Sequence, residues 1–188
     1  MRLFIAVQLN DEMKNALLQI QHSMQMQGVR GNYTREENLH LTLAFIGEYP
    51  DPYDVKEILE EIDFEPFRIR LDGVGSFGSL WWAGIAEDGD CDDALRFLAK
   101  RVRRGLAEAG IPYDRKKFSP HITLVRKPQV GGERVSGRGG IPEEVLQGLR
   151  DPQDQTGAEN LPQAGMIVDH ISLMRSDRGK HGMIYTEL

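Results

Sequence analysis

The chain has 188 residues, of which 40% are hydrophobic and 28% are charged, and its formal net charge at pH 7 is −6. This composition excludes the disordered and fibrous classes and fits one soluble domain of ordinary size. The acidity argues against non-specific coating of nucleic acid. The single cysteine, Cys91, excludes an internal disulfide framework and a cysteine metal cluster. No apolar run is long enough for a signal peptide or a membrane span, so we expect a cytoplasmic protein without membrane contact.

The first half of the chain predicts a strand, a helix, a second strand and a second helix. The opening run RLFIAVQL has strand character. Asn10 is the predicted N-cap of the helix that follows, and Gly28 is its predicted stop. The apolar residues of this helix recur at helical spacing: Met13, Leu17, Ile20 and Met24. The strand containing HLTLAFIG then ends at Gly47, and another helix is predicted over residues 52–62.

The second half predicts strands around one long helix. Two strand-like runs, FRIRLDGV and LWWAGIA, are separated by a Gly/Ser turn. A helix opening at Asp92 and Asp93 follows and stops at Gly110, with one apolar face: Leu95, Leu98, Val102 and Leu106. The strand HITLVR comes next. Residues 128–162 are rich in Gly, Pro, Gln and Asp and predict a loop-rich excursion, after which the strands MIVDHISLM and GMIYTEL close the chain.

The two halves repeat in step. The tetrads HLTL and HITL begin at His40 and His121, which are 121 − 40 = 81 residues apart. The helices ahead of them open at Asp11 and Asp92, and 92 − 11 is again 81. A third tetrad, HISL, begins at His170 and has no such strand and helix before it. We therefore pair His40 with His121 and interpret His170 as a strand residue outside the pair, with a third groove histidine as the alternative.

Strand geometry gives this pair a chemical use. Alternate residues on a strand face the same side, so His40 lies with Thr42, and His121 lies with Thr123. Two such strands related by pseudo-symmetry would bring two imidazoles and two hydroxyls to one groove. One imidazole can take a proton from water attacking phosphorus while an imidazolium protonates the departing oxygen. The hydroxyls can bind the non-bridging oxygens. This chemistry needs no metal or cofactor, and the sequence has no ligand cluster at metal spacing.

The segments ENLHLTLAFIG and FSPHITLVRK resemble the paired H-x-T motifs of the 2H phosphoesterases. They most resemble the RNA 2′,3′-cyclic phosphodiesterase family, historically called 2′-5′ RNA ligases. The opening MRLFIAVQL and the closing GMIYTEL are similar to that family as well. The resemblance implies an α+β fold of two pseudo-symmetric lobes around a central groove, each with an antiparallel or mixed sheet and flanking helices. We expect one domain over 1–188, with repeat units at about 2–47 and 80–127.

The same resemblance implies an activity, namely metal-independent hydrolysis of the terminal 2′,3′-cyclic phosphate of RNA to a 2′-phosphate. It implies that His40 is the general acid for the 3′-oxygen and that His121 is the base activating water. It also implies that Thr42 and Thr123 bind phosphate. We expect a monomer with RNA ends as its partner and no DNA. Three alternatives stay open: a non-catalytic module for RNA ends or nucleotides, an enzyme for a small cyclic nucleotide, and a ligase of 2′-5′ RNA ends.

Two more residues follow from the resemblance. Arg126 would contact the substrate, and Phe45 would pack on the nucleotide. Each lies five positions after its histidine, and an odd separation places a side chain on the opposite face of an ideal strand. Both residues can therefore serve only if the strand ends or bulges in between. Trp81 and Trp82 also alternate on their strand, so at most one of them faces the groove.

Positive charge is concentrated in one part of the sequence. Residues 96–127 contain ten basic and two acidic side chains, a local balance of 10 − 2 = +8. A solvated helix face accounts for the basic residues of the helix. The loop residues Arg115, Lys116 and Lys117 beside HITL are the candidates for a polyanion site.

Overall fold

The computed structural model describes residues 1–88, 93–135, 140–149, 162–180 and 182–188. Cys91, Asp92 and the central part of the predicted excursion lie outside the described residues. The elements in chain order are β1 (Arg2–Gln8), α1 (Asp11–Met26), β2 (Arg30–Tyr33), a 3₁₀ turn (Glu36–Asn38), β3 (His40–Glu48), α2 (Pro52–Glu60), β4 (Phe67–Phe77), β5 (Leu80–Asp88), α3 (Ala94–Glu108), β6 (His121–Val130), β7 (Glu133–Arg134), α4 (Glu143–Gly148), β8 (Gly165–Val168), β9 (Ser172–Gly179) and β10 (Gly182–Glu187).

The two long helices form where their apolar stripes predict. The side chain of Asn10 accepts a hydrogen bond from the backbone N–H of Met13 at 2.9 Å, which confirms the predicted cap of α1. Gly28, with a φ of 81°, follows the end of the helix. The predicted apolar faces of α1 and α3 are buried in one core. No helix in the described ranges is long and apolar enough to cross a membrane.

The strands form two antiparallel sheets, which confirms the predicted α+β class. The first sheet has the order β10-β9-β1-β3, and the second has the order β2-β6-β5-β4-β8 with β7 paired to β6. The resemblance left antiparallel and mixed sheets open. Every strand pair among the described residues is antiparallel.

The two halves of the chain exchange elements between the sheets. Helix α1 follows a strand of the first sheet but packs on β6 and β8 of the second, whereas α3 follows a strand of the second sheet and packs on β3 of the first. Strand β2 likewise pairs with β6, and β9 and β10 return to the first sheet. The repeat units at 2–47 and 80–127 stay a prediction about the sequence, because each sheet contains strands from both halves.

The prediction that MIVDHISLM forms one strand is wrong. Strand β8 ends at Val168 in the second sheet, and β9 begins at Ser172 in the first, so the run crosses between sheets. The crossover contains Asp169 and His170, two exposed polar residues between apolar stretches. The Asp169 carboxylate lies 2.6 Å from Nδ1 of His170. His170 is therefore a loop residue and not a strand residue.

Candidate active site

A groove of about 350 Å³ lies between the two sheets. It brings together all six residues that the sequence and the resemblance predict for the site: His40, Thr42, Phe45, His121, Thr123 and Arg126. The remaining lining comes from β1, from β5 and from the two final strands: Arg2, Phe4, Leu80, Ser176, Met183 and Tyr185. His170 does not line it. Within the described ranges, no group of three or more His, Cys, Asp or Glu side chains is placed to hold a metal ion.

The backbone holds the two imidazoles in the same way. Nδ1 of His40 lies 2.7 Å from the carbonyl oxygen of Asn38, and Nδ1 of His121 lies 2.8 Å from that of Ser119. A carbonyl oxygen only accepts a hydrogen bond, so Nδ1 of each ring carries a proton and donates it. Nε2 is therefore the nitrogen of each ring that can exchange a proton in the groove.

His40 is the more enclosed of the two histidines. Two aromatic rings pack on its imidazole, with centroid distances of 4.8 Å to Phe4 and 5.1 Å to Tyr185. Burial lowers the pKa of His40 below 6.5, and the bond to the Asn38 carbonyl opposes this shift. The positive charges of Arg126 and His121 lower the pKa of His40 further. These effects favour the neutral form of His40 in the absence of substrate.

His121 also lies against aromatic rings, but on the more open side of the groove. Its centroid is 5.1 Å from Phe77 and 6.3 Å from Trp82. Trp81 is fully buried in the core, which confirms that the two tryptophans face opposite sides of β5. Gly75 lets the Trp82 ring lie flat on β4, since a Cβ at this position would come within 2.4 Å of the ring.

Two β-bulges explain how Phe45 and Arg126 reach the groove. The register between β3 and β1 skips Leu43, and the register between β6 and β5 skips Leu124. Each extra residue reverses the alternation of side chains, so a residue five positions after the histidine returns to the histidine's face. The bulges are equivalent in the repeat, since 124 − 43 is 81. Each strand therefore has the bulge that Phe45 and Arg126 need to face the groove.

Each bulge is braced by a side chain from the exchanged helix. Arg103 on α3 donates through Nε to the carbonyl of Leu43 at 3.0 Å. The buried side chain of Gln21 on α1 donates through Nε2 to the carbonyl of Leu124 at 2.9 Å and to that of Thr34 at 2.8 Å. A bulge interrupts the regular pairing of its carbonyl; Arg103 gives the carbonyl of Leu43 a donor, and Gln21 gives that of Leu124 a second donor besides the backbone N–H of Thr34. The exchange of helices therefore supports both H-x-T strands.

Sequence reasoning missed several residues that shape the groove. Arg2 places its guanidinium 5.0 Å from the ring of Phe45, and Tyr185 reaches His40 from the last strand. Asn38 donates through Nδ2 to the carbonyl of Met183 at 2.8 Å and so ties the turn before His40 to that strand. No tetrad signals these residues, because their positions depend on the order β10-β9-β1-β3.

Several known proteins are similar to this chain in sequence and in fold. The family model of the 2′-5′ RNA ligase superfamily matches residues 18–180. An Archaeoglobus fulgidus protein named RNA 2′,3′-cyclic phosphodiesterase is 37% identical over 134 residues, covering 67% of this chain and 72% of the relative. A Thermus thermophilus protein of the same name is 33% identical and covers 100% of this chain and 88% of its own length. The crystal structure of E. coli LigT in apo form, 24% identical, has the same fold, with a TM-score of 0.71 over 100% of this chain and 94% of that one. This chain therefore belongs to the 2′-5′ RNA ligase superfamily, whose members are 2H phosphoesterases.

Proposed function

We propose that the protein hydrolyses the 2′,3′-cyclic phosphate at the end of an RNA strand and leaves a 2′-phosphate. The observation that carries this proposal is the pair of imidazoles in one groove, each with Nδ1 held by its own backbone and Nε2 left for proton transfer. The names of the Archaeoglobus and Thermus relatives support the choice of substrate.

In the proposed reaction, water attacks phosphorus on the side opposite the 3′-oxygen. His121 accepts the proton of this water on Nε2, and the bond from phosphorus to the 3′-oxygen breaks. His40 donates its Nε2 proton to that oxygen, which becomes the 3′-hydroxyl. Thr42 and Thr123 hydrogen-bond the non-bridging oxygens, where charge builds in the transition state, and Arg126 adds a positive charge there. Proton exchange with solvent then restores both histidines.

The acid role requires a protonated His40, whereas burial favours the neutral form before substrate binds. The substrate supplies the missing charge, because a cyclic phosphodiester is an anion at neutral pH. Its negative charge beside the ring favours imidazolium and offsets the charge of Arg126. We therefore assign protonation of His40 to the substrate complex. Two imidazoles complete both proton transfers, so the proposed reaction needs no metal.

The experiment is an assay with an oligonucleotide that ends in a 2′,3′-cyclic phosphate, in the presence of a chelator. We expect turnover to a product with a 2′-phosphate. A 3′-phosphate would reverse the leaving group and refute the roles of His40 and His121, and a requirement for metal would refute the mechanism. Tight stoichiometric binding without product would instead identify a non-catalytic module.

Variants of the tetrad histidines give the assay its controls. His40→Ala and His121→Ala should each lower kcat by about 10²- to 10⁴-fold, the usual contribution of a general acid or base. His170→Ala removes the histidine of the third tetrad, which lies outside the groove, and should keep full activity. All three proteins should show wild-type circular dichroism. Full activity in either of the first two variants would end the proposal.

A further inference from the structure

A second cleft, of about 390 Å³, lies between α3 and the segment that leads to β6. Its lining is basic and aromatic: Arg96, Lys100, Arg103, Arg104, Tyr113, Lys117 and Phe118. Two carboxylates pair with it, Glu108 with Arg104 at 2.7 Å and Asp93 with Arg96 at 3.6 Å. The five Arg and Lys side chains of the lining and these two carboxylates leave an excess positive charge of 5 − 2 = 3. This cleft therefore concentrates positive charge in a protein whose net charge is negative.

A cleft lined by arginines need not carry such an excess. A cleft of similar size also contains Arg68 and Arg70, but Glu12, Asp72 and Asp88 share its lining and leave it with 2 − 3 = −1. In the basic cleft, by contrast, Lys100 and Lys117 form no ion pair within the described part of the chain. Their ammonium groups are exposed and available to an anion.

One short segment joins the basic cleft to the catalytic groove. The backbone N–H of Asp114 donates to the carbonyl of Phe45 at 2.8 Å, and the carbonyl of Ser119 holds Nδ1 of His121. Lys117 and Phe118, between these two anchors, line the cleft. Two residues of extended chain span at most about 7 Å. The cleft thus begins close to the place where the cyclic phosphate would react.

The side chains of the basic cleft have the chemistry that single-stranded nucleic acid requires. Proteins that bind single strands place positive side chains along the phosphate backbone of the nucleic acid and aromatic rings where its bases can stack. The cleft offers two rings, Tyr113 and Phe118, and each already lies near a guanidinium: Arg115 at 5.9 Å and Arg103 at 5.4 Å.

We propose that the basic cleft binds the RNA strand on the 5′ side of the cyclic phosphate. This inference rests on the proposed function. It identifies the surface that would make an RNA chain a better substrate than a mononucleotide. The groove's volume of about 350 Å³ is at the small end of ligand sites, so it accommodates little more than the terminal nucleotide. Lys100 and Lys117 bind phosphates, and Tyr113 and Phe118 stack bases.

The kinetic test compares two substrates in a double variant, Lys100→Glu with Lys117→Glu. For a ten-nucleotide RNA ending in a cyclic phosphate, KM should rise about tenfold with kcat unchanged. The slope of log(1/KM) against log salt concentration should become shallower by about 1.4, at about 0.7 for each lost phosphate contact. For adenosine 2′,3′-cyclic phosphate, both constants should match the wild type. An unchanged oligonucleotide KM, or an equal change for the mononucleotide, would overturn the proposal.

A second double variant separates the cleft from the net charge of the protein. Lys14→Glu with Lys56→Glu changes the net charge by the same amount, but on α1 and α2, away from the cleft. Its KM for the oligonucleotide should stay within about twofold of the wild type. An equal rise in both double variants would show that total charge, not the cleft, controls binding.

A binding experiment tests the cleft without any turnover. Fluorescence anisotropy with a ten-nucleotide RNA ending in a 3′-hydroxyl should give a Kd about tenfold higher for the Lys100/Lys117 variant than for the wild type. This result supports the cleft even if the cyclic phosphate is never hydrolysed, so the two proposals fail separately. A polyglutamate peptide should not displace the RNA at equal charge concentration. Equal displacement by the peptide would refute recognition of nucleic acid.

Discussion

Replacing Gln21 with methionine tests whether the helix of one half controls the catalytic strand of the other. Gln21 lies on α1, far along the chain from the H-x-T strand β6 that it braces. Its side chain is buried and donates to the carbonyls of Leu124 and Thr34. Methionine keeps the length and shape of glutamine but donates no hydrogen bond. The variant therefore removes two hydrogen bonds with little change in packing.

The loss of stability depends on which hydrogen bonds remain to the carbonyls of Leu124 and Thr34 in the variant. The carbonyl of Leu124 still accepts the backbone N–H of Thr34 at 2.9 Å, so the bulge loosens but keeps one bond. The carbonyl of Thr34 loses the donor from Gln21. A lost hydrogen bond costs about 1 kcal/mol, and a buried acceptor left without a partner costs about 1–3 kcal/mol. We expect the free energy of unfolding to fall by about 2 kcal/mol.

Activity should fall beyond what the loss of stability explains. A looser bulge at Leu124 lets Arg126 leave the groove position from which we propose that it contacts the phosphate. We expect kcat/KM for the cyclic-phosphate oligonucleotide to fall about tenfold, or about 1.4 kcal/mol, mainly through KM.

The control is Leu17→Ala, a fully buried residue on the same helix, which should cost about 2–5 kcal/mol of stability and leave the bulge bonds in place. Urea denaturation gives the stabilities, and steady-state kinetics at 25 °C give the constants. If Leu17→Ala lowers kcat/KM as much as Gln21→Met does, the bracing role of Gln21 is wrong.

Four further outcomes concern the groove and the strands that form it. Because burial and the charge of Arg126 lower the pKa of His40, an NMR titration without substrate should place this pKa below that of a free imidazole, and a bound phosphate anion should raise it. Arg126→Gln should raise the pKa of His40 in an NMR titration, and an unchanged value would refute the charge effect. Arg103→Lys keeps the charge but loses the planar fork, so it should raise KM and lower Tm, whereas wild-type values would contradict the brace. Phe45→Leu should raise KM for adenosine 2′,3′-cyclic phosphate about tenfold through lost stacking, and an unchanged KM would exclude Phe45 from the nucleotide site.

Much of the site was predictable because it depends on local pattern. The 81-residue spacing pairs His40 with His121, and strand alternation puts Thr42 and Thr123 beside them. The bulges also have a local signal. In both strands the threonine is followed by two adjacent apolar residues, one of them leucine, and both are buried. A regular strand with one exposed face does not bury neighbours in this way, so the doublets predict the shift that brings Arg126 into the groove.

The exchange between sheets was not predictable in the same way. An amphipathic helix specifies an apolar face to bury, but not which of two similar sheets will receive it. The stripe on α1 therefore gave no indication that Gln21 would brace β6 and not β3. His170 shows the same limit, since the apolar residues on both sides of Asp169 and His170 have strand composition, yet the chain changes sheets between them. Long-range pairing, and not local propensity, decides these features.

The exchange of helices has a consequence for catalysis that two self-contained lobes would lack. In-line displacement requires the acid and the base on opposite sides of phosphorus, and a misplacement of about 1 Å can cost about 10²-fold in rate. His40 and His121 belong to different sheets, so their separation depends on how the sheets are held together. Because α1 braces β6 and α3 braces β3, a movement of one sheet pulls on the bulge of the other. The two half-sites are therefore fixed relative to each other by the same hydrogen bonds that orient Phe45 and Arg126.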